Sequence, residues 1–189
     1  MNAMTAQEII HQIVTYGREG RSHIATFPLE EISQPLAEAL VTAPEPLTRR
    51  IICNIMATQR HPSFFPALLQ TLDDPDQEVI NAAADAIGNI STAFPPAPPL
   101  QTILGQKLLK MIQATPSQNP NLGALLYGIG LLKYKPAATP IAQLLSSETP
   151  MVRWNAAEAI AHIADPTLLP SLIKQLKIEQ HPRTKRIIE

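Results

Sequence analysis

The residues able to do chemistry in this sequence are few and widely spaced. Cys53 is the only cysteine, so no internal disulfide forms, a pattern that fits a reducing compartment. A nucleophilic thiol needs an electropositive setting, of which Arg49 and Arg50 supply a weak version. Ile52 and Ile55 flank Cys53, which is expected opposite the stripe Leu47-Ile51-Ile55, with no histidine at helical spacing from it. His11, His23, His61, His162 and His181 show no metal-ligand spacing with each other or with Cys53. A closed zinc site needs four clustered ligands, so no metal is expected. His61-Pro62 and His181-Pro182 read as turns ahead of helices. Gly128-Ile129-Gly130 lacks the preceding strand and the further glycine of a phosphate loop. Its Ala/Leu/Gly-rich surroundings predict close helix packing instead. Ser22-His23 and Asp165 make no triad visible from spacing. No catalytic residue and no cofactor are expected, and the chain reads as a non-enzyme.

What must position such residues is a repeat. Leu68, Leu72, Val79, Ala83, Ala84, Ala86, Ile87 and Ile90 recur 73 residues later as Ile141, Leu145, Val152, Ala156, Ala157, Ala159, Ile160 and Ile163. Ile141 and Leu145 recur after 31 residues as Leu172 and Leu176. Backward, Leu36, Leu40, Leu47, Ile51, Ile52 and Ile55 match Leu68, Leu72, Val79, Ala83, Ala84 and Ile87 at an offset of 32. Leu125, Leu126, Ile129 and Leu132 follow Ala83, Ala84, Ile87 and Ile90 by 42. The extra length lies at Phe94-Pro95-Pro96-Ala97-Pro98-Pro99, which cannot be helix interior. Such periods mark stacked supersecondary units.

Each unit reads as two helices. Val79, Ala82, Ala83, Ala86, Ile87 and Ile90 form one apolar stripe. Asp74-Pro75, Asn119-Pro120, Thr139-Pro140, Thr149-Pro150 and Asp165-Pro166 are read as helix starts. There the cap accepts from free N–H groups, and proline loses no helical bond. This reconciles 19 prolines with an all-α chain, and no alternating strand pattern or hairpin turn competes. Helix pairs are expected at 30–42 with 46–59, 63–72 with 75–91, 100–114 with 120–134, 139–147 with 150–164, and 166–177 with 182–189. Residues 5–16 read as a capping helix and 17–28 as a loop. The organisation is thus an N-terminal cap and loop over 1–28 and a repeat array over 29–189. The fold class is an α-solenoid of about five helical hairpins.

Composition narrows the partners. A net charge of −1 argues against broad binding to nucleic acid or an anionic membrane. No apolar run approaches the roughly 20 residues of a span, and the first residues carry no secretion signal. A cytoplasmic location is the expectation. Acids dominate the first half, from Glu30 to Asp85, and bases the second. The basic C-terminal stretch of Lys174, Lys177, Arg183, Lys185 and Arg186 is a possible interface for an acidic surface.

Asp73-Asp74-Pro75 with Val79 and Asn81-Ala82-Ala83-Ala84-Asp85-Ala86-Ile87-Gly88, and Val152-Arg153-Trp154-Asn155-Ala156-Ala157-Glu158-Ala159-Ile160, resemble HEAT repeats. The period near 31 resembles the phycobilisome-lyase type. The resemblance covers most of 29–189 and implies a HEAT-like superhelix. It implies a structural ladder in which Arg153 pairs with an acidic turn residue such as Glu148, with Asp74 in the corresponding turn. It also implies that second helices line a concave face. Three rows then form a strip: Arg49, Asn81, Gly123, Trp154 and Lys185; Cys53, Asp85, Tyr127, Glu158 and Glu189; Ala57, Asn89, Leu131 and His162. Arg49, Asn81, Asp85, Asn89, Tyr127, Trp154, Glu158 and His162 are the expected partner-binding residues. Aromatics ringed by polar groups are typical of binding hot spots. The function expected is a protein-binding scaffold or adaptor with an unnamed protein partner. The alternative is a bilin lyase or chromophore-handling subunit acting on phycobiliproteins, for which Arg49, Arg50, Trp154, Tyr127, Asp85 and Glu158 supply the residue types.

Overall fold

The computed structural model describes residues 4–188, and Glu189 of the expected strip lies outside them. The described residues contain α-helices and short 3-10 turns and no strand. The chain divides into two compact units between Phe94 and Pro95, within the proline-rich connection. No helix among the described residues is long and apolar enough to cross a membrane.

The first unit holds α1 (Ala6–Ile24), α2 (Leu29–Thr42), α3 (Pro46–Gln59), α4 (Phe65–Thr71) and α5 (Gln77–Ala93). The second holds α6 (Pro98–Ala114), α7 (Leu122–Leu131), α8 (Ala138–Gln143), α9 (Pro150–Ile163), α10 (Leu169–Ile178) and α11 (Pro182–Ile188). Within each unit the second helices of successive pairs stack, α3 on α5 in one and α7 on α9 on α11 in the other. The buried stripe explains why. Val79, Ala83, Ala84 and Ile87 of α5, and Val152, Ala156, Ala157 and Ile160 of α9, are almost fully buried. Small alanines let the helix axes approach, and Ile and Leu fill the space between them.

Residues 17–28 are not all loop, because the helix resumes after a bend at Gly17 and runs to Ile24. Gly17 has φ 51 and ψ −112, a conformation cheap only for glycine. Thr5 and Glu8 close a capping box at the N-terminus of α1, which holds the first turn in place. Three of the five cap–proline pairs do not start a helix. Asp74-Pro75 and Asn119-Pro120 lie in the turns ahead of α5 and α7, and Thr139-Pro140 lies inside α8. The N-cap of α5 is Asp76, which accepts from Glu78 and Val79 N–H. Thr149-Pro150 and Asp165-Pro166 do occupy cap and first position.

The second helices α3 and α9 end on left-handed C-caps, Arg60 and Ala164, and α7 is followed by left-handed Lys133 one residue past its cap. None is glycine, so these stops are marked in the sequence only by the prolines that follow, Pro62, Pro136 and Pro166. Gly130 of α7 faces α9 so closely that a β-carbon there would lie 2.8 Å from the Cα of Ala159. The expected close packing around Gly128-Ile129-Gly130 is therefore present. Gly130→Ala should destabilise the second unit by about 1–2 kcal/mol, because overpacking outweighs alanine's better helix propensity. A chemical-denaturation midpoint equal to or above wild type would contradict this packing.

Candidate functional site

Burial shifts the register of the first unit. Thr48, Ile52, Cys53 and Met56 are buried, while Leu47 is 57% exposed. Residues Thr48, Ile52, Cys53 and Met56 thus correspond to Val79, Ala83, Ala84 and Ile87 at an offset of 31, not 32. The N-caps agree, since Glu45 precedes Asp76 by the same interval. Leu47 misled the alignment because it is apolar but sits in the first turn on the solvent side. On α3 the outward row is therefore Arg50, Asn54 and Thr58, not Arg49, Cys53 and Ala57.

Cys53 is fully buried on the core face. Burial in apolar surroundings pushes its thiol up to about 12, so it stays protonated and is no nucleophile. Arg49 leaves the expected binding row for a structural one. Its Nε and Nη2 donate to the Asp74 carboxylate at 2.6 and 2.9 Å, and Nη1 donates to the carbonyls of Ala43 and Pro44. Arg153 repeats this arrangement in the second unit. Its Nε and Nη2 donate to Glu179 at 2.8 and 2.9 Å, and Nη1 donates to the carbonyls of Ser147 and Glu148. The carboxylate of the ladder is thus Glu179, and Glu148 contributes only its carbonyl. The reason is reach: an arginine on the first turn of a second helix spans to the turn of the following pair.

The acid in each ladder also organises its own turn. Asp74 accepts from the N–H of the N-cap Asp76, and Glu179 accepts from Gln180 and His181 N–H. The side chains of Asn119 and Ser147 accept the equivalent N–H, from Asn121 and Thr149, and Arg153 touches Ser147 only at its carbonyl. Each such bond satisfies a donor just ahead of a helix. The Arg153 hydrogen bond holds the Glu179 carboxyl down at about 2. For Asp74, burial opposes ionisation, yet Arg49 and the Asp76 N–H leave the carboxyl below its ordinary value.

The other seven expected partner-binding residues lie on α5, α7 and α9; of the wider strip, Lys185 lies on α11 and Leu131 is buried. In the first unit Asn81, Asp85 and Asn89 are half-buried along α5. Asn89 donates to the Asp85 carbonyl, not to its carboxylate. No counter-charge or hydrogen bond reaches that carboxylate among the described residues, and burial pushes it up to about 6. In the second unit Tyr127 of α7 and Trp154, Glu158 and His162 of α9 are half-buried. Their side chains have no hydrogen bond, ion pair or ring contact among the described residues. No group of three or more His, Cys, Asp or Glu among the described residues is arranged to hold a metal.

Asp85 carries a testable consequence. Its folded value lies above the ordinary 3.8, so the charged form opposes folding. Stability is greatest while Asp85 is protonated and falls as pH rises from about 4 through 6. Asp85→Asn should stabilise the first unit at pH 7 by roughly 1–2 kcal/mol after allowing for partial solvent screening, and by nothing at pH 4. Urea titrations at both pH values check this, and an equal effect at both would refute it.

Comparison with known proteins adds the fold context. A family described as HEAT repeats matches residues 33–107 and 105–189. No curated protein matches the sequence. Among solved structures, the complex of CpcE and CpcF of phycocyanin lyase from Nostoc sp. PCC7120 is similar at a TM-score of 0.66 and 17% identity. That match covers 98% of this chain and 74% of the other. A designed armadillo repeat protein in complex with the peptide (KR)4 is similar at a TM-score of 0.62 and 19% identity, covering 96% and 95%. Another designed armadillo repeat protein matches at 0.59 and 20% identity, covering 98% and 97%. At these identities the likeness is one of fold, the all-α solenoid.

Proposed function

The chain belongs to the HEAT-repeat family, and on that premise we propose that it is a scaffold whose second-helix faces bind a protein partner. The observation that supports this is the row of half-buried Tyr127, Trp154, Glu158 and His162, none of which spends a side-chain hydrogen bond internally. A tyrosine hydroxyl, an indole N–H, a carboxylate and an imidazole held ready on a packed frame suit a partner's polar groups and apolar surface. Asp85 and Asn89 offer a similar face on the first unit. The solved relatives fit this reading: the lyase chain is seen in a CpcE–CpcF complex and the designed armadillo chain with a peptide.

Trp154→Ala and Tyr127→Ala should each weaken partner binding by about 2 kcal/mol, at a smaller cost to folding. The partner is recovered by the wild-type chain from an extract of the source organism and titrated against both variants. Unchanged affinity in both would overturn this placement. Trp154 fluorescence gives a second readout: a quenched, blue-shifted signal that ignores the partner would mark it as packing only. The bilin-handling alternative rests on the fold likeness to the lyase complex. Arg49 is committed to Asp74, and Arg50 lies 3.7 Å from the exposed Glu78 carboxylate, so a propionate would have to displace Glu78 from it. Addition of phycocyanobilin separates the readings, since a shifted visible spectrum would favour the bilin.

A further inference from the structure

The first unit contains a second feature that the strip does not include. A cavity of about 320 Å³ lies between the second half of α1 and the outer side of α3. Its lining includes Arg18 and Arg21 from α1 and Ile51, Ile55, Asn54 and Thr58 from α3. Both arginines are exposed, and neither has an ion-pair or hydrogen-bond partner for its guanidinium among the described residues. They stand together because Gly17 bends α1, so that residues after it form a separate helical segment. Positions three apart then share one side of that segment, while Ile24 and Gly20 are buried. Two uncompensated guanidinium groups thus share a cavity with Ile51 and Ile55 in a unit where acidic residues outnumber basic ones. Asn54 and Thr58 belong to the outward row of α3, so the cavity continues the row that includes Asp85 on α5.

We propose that this cavity recognises an acidic side chain beside an aliphatic one in an extended segment of a protein partner. This rests on the scaffold reading and specifies the partner's chemistry. Guanidinium forks bind carboxylates with two parallel hydrogen bonds. The aliphatic neighbour covers Ile51 and Ile55, removing apolar surface from water. From α1 across α3 to α5 is two helix spacings, about 16–20 Å. An extended chain covers that in about five or six residues. At that distance the segment meets the unpaired Asp85 carboxylate, which calls for a lysine or arginine. The segment therefore has an acid and an aliphatic residue at the α1 end and a base at the α5 end.

The test uses the full chain and a displayed library of random linear peptides. The wild type should enrich peptides carrying that charge order. Arg18→Gln with Arg21→Gln should weaken a selected peptide about tenfold, and added salt should weaken wild-type binding because both arginines are exposed. The melting temperature should not move, since neither side chain has an internal partner. Arg18→Glu with Arg21→Glu should instead enrich peptides with a base in place of the acid. Selected peptides that bind wild type and both double variants equally would overturn the cavity while leaving the scaffold reading intact. If no peptide is enriched on any of the three, the scaffold reading fails and the cavity assignment fails with it.

Discussion

Ala83→Asp and Ala156→Asp are each expected to unfold the unit that contains them. Both residues are fully buried, on the sides of α5 and α9 that pack against neighbouring helices. An aspartate there brings a carboxylate into an alanine-sized space without a partner. The penalty, several kcal/mol after the group neutralises, is comparable to the whole stability of a domain. Two variants in different units separate a local failure of register from a general one. Ala161→Asp is the control, because Ala161 is exposed on the same helix as Ala156 and should shift stability by no more than about 0.5 kcal/mol. Circular dichroism melts decide it: a wild-type melting temperature in either buried variant would refute the packing described here.

Arg153→Ala is expected to have the next largest effect, because of what it leaves behind. The Glu179 side chain is completely buried and ion-paired to Arg153. Truncation removes two charge-assisted bonds and strands the carboxylate. Breaking one side of a buried pair typically costs about 3–5 kcal/mol. The loss should concentrate in α10 and α11, which Glu179 joins. Hydrogen exchange resolved by segment would show α10 and α11 amides exchanging faster while α7 is less affected. The same pair sets an acid limit. Glu179 is held at about 2, below the ordinary 4.5, so its contribution is fully present above the unfolded value. It is lost as pH falls from about 4.5 through 2. Glu179→Gln should remove that acid dependence from the exchange of α11. Unchanged acid sensitivity in the variant would assign the limit to other carboxylates.

Much of the fold was legible because burial repeats at helical spacing. The 73-residue recurrence from Val79 to Val152 holds residue by residue in the buried stripes of α5 and α9. The register slipped at α3, where Leu47 is apolar but exposed and Thr48 is polar but buried. Hydrophobicity assigns those two the wrong way round, since position in the first turn outweighs side-chain type. The bend at Gly17 likewise has no mark in apolar spacing. Gly17 and Gly20 look like loop residues, yet the helix continues past one and buries the other. The capping box of Thr5 and Glu8 has the spacing S/T-x-x-E in the sequence. Arg18 and Arg21 lie in a segment whose glycines suggest a loop, so only the folded helix shows that they share one side.

The sequence by itself determined that this chain is a stack of helical pairs. Apolar spacing, alanine-rich second helices and prolines at helix starts are local properties, and they recur often enough to outvote any single exception. Only the tertiary structure decided which charges are spent and which are free. Arg49 and Arg18 look alike in sequence, but one is locked to Asp74 across 25 residues and the other has no partner among the described residues. Pairing of this kind depends on how one helical pair sits on the next, which side-chain spacing along one helix does not encode. The same holds for Glu179, a buried carboxylate kept ionised by the arginine that the preceding pair brings to it.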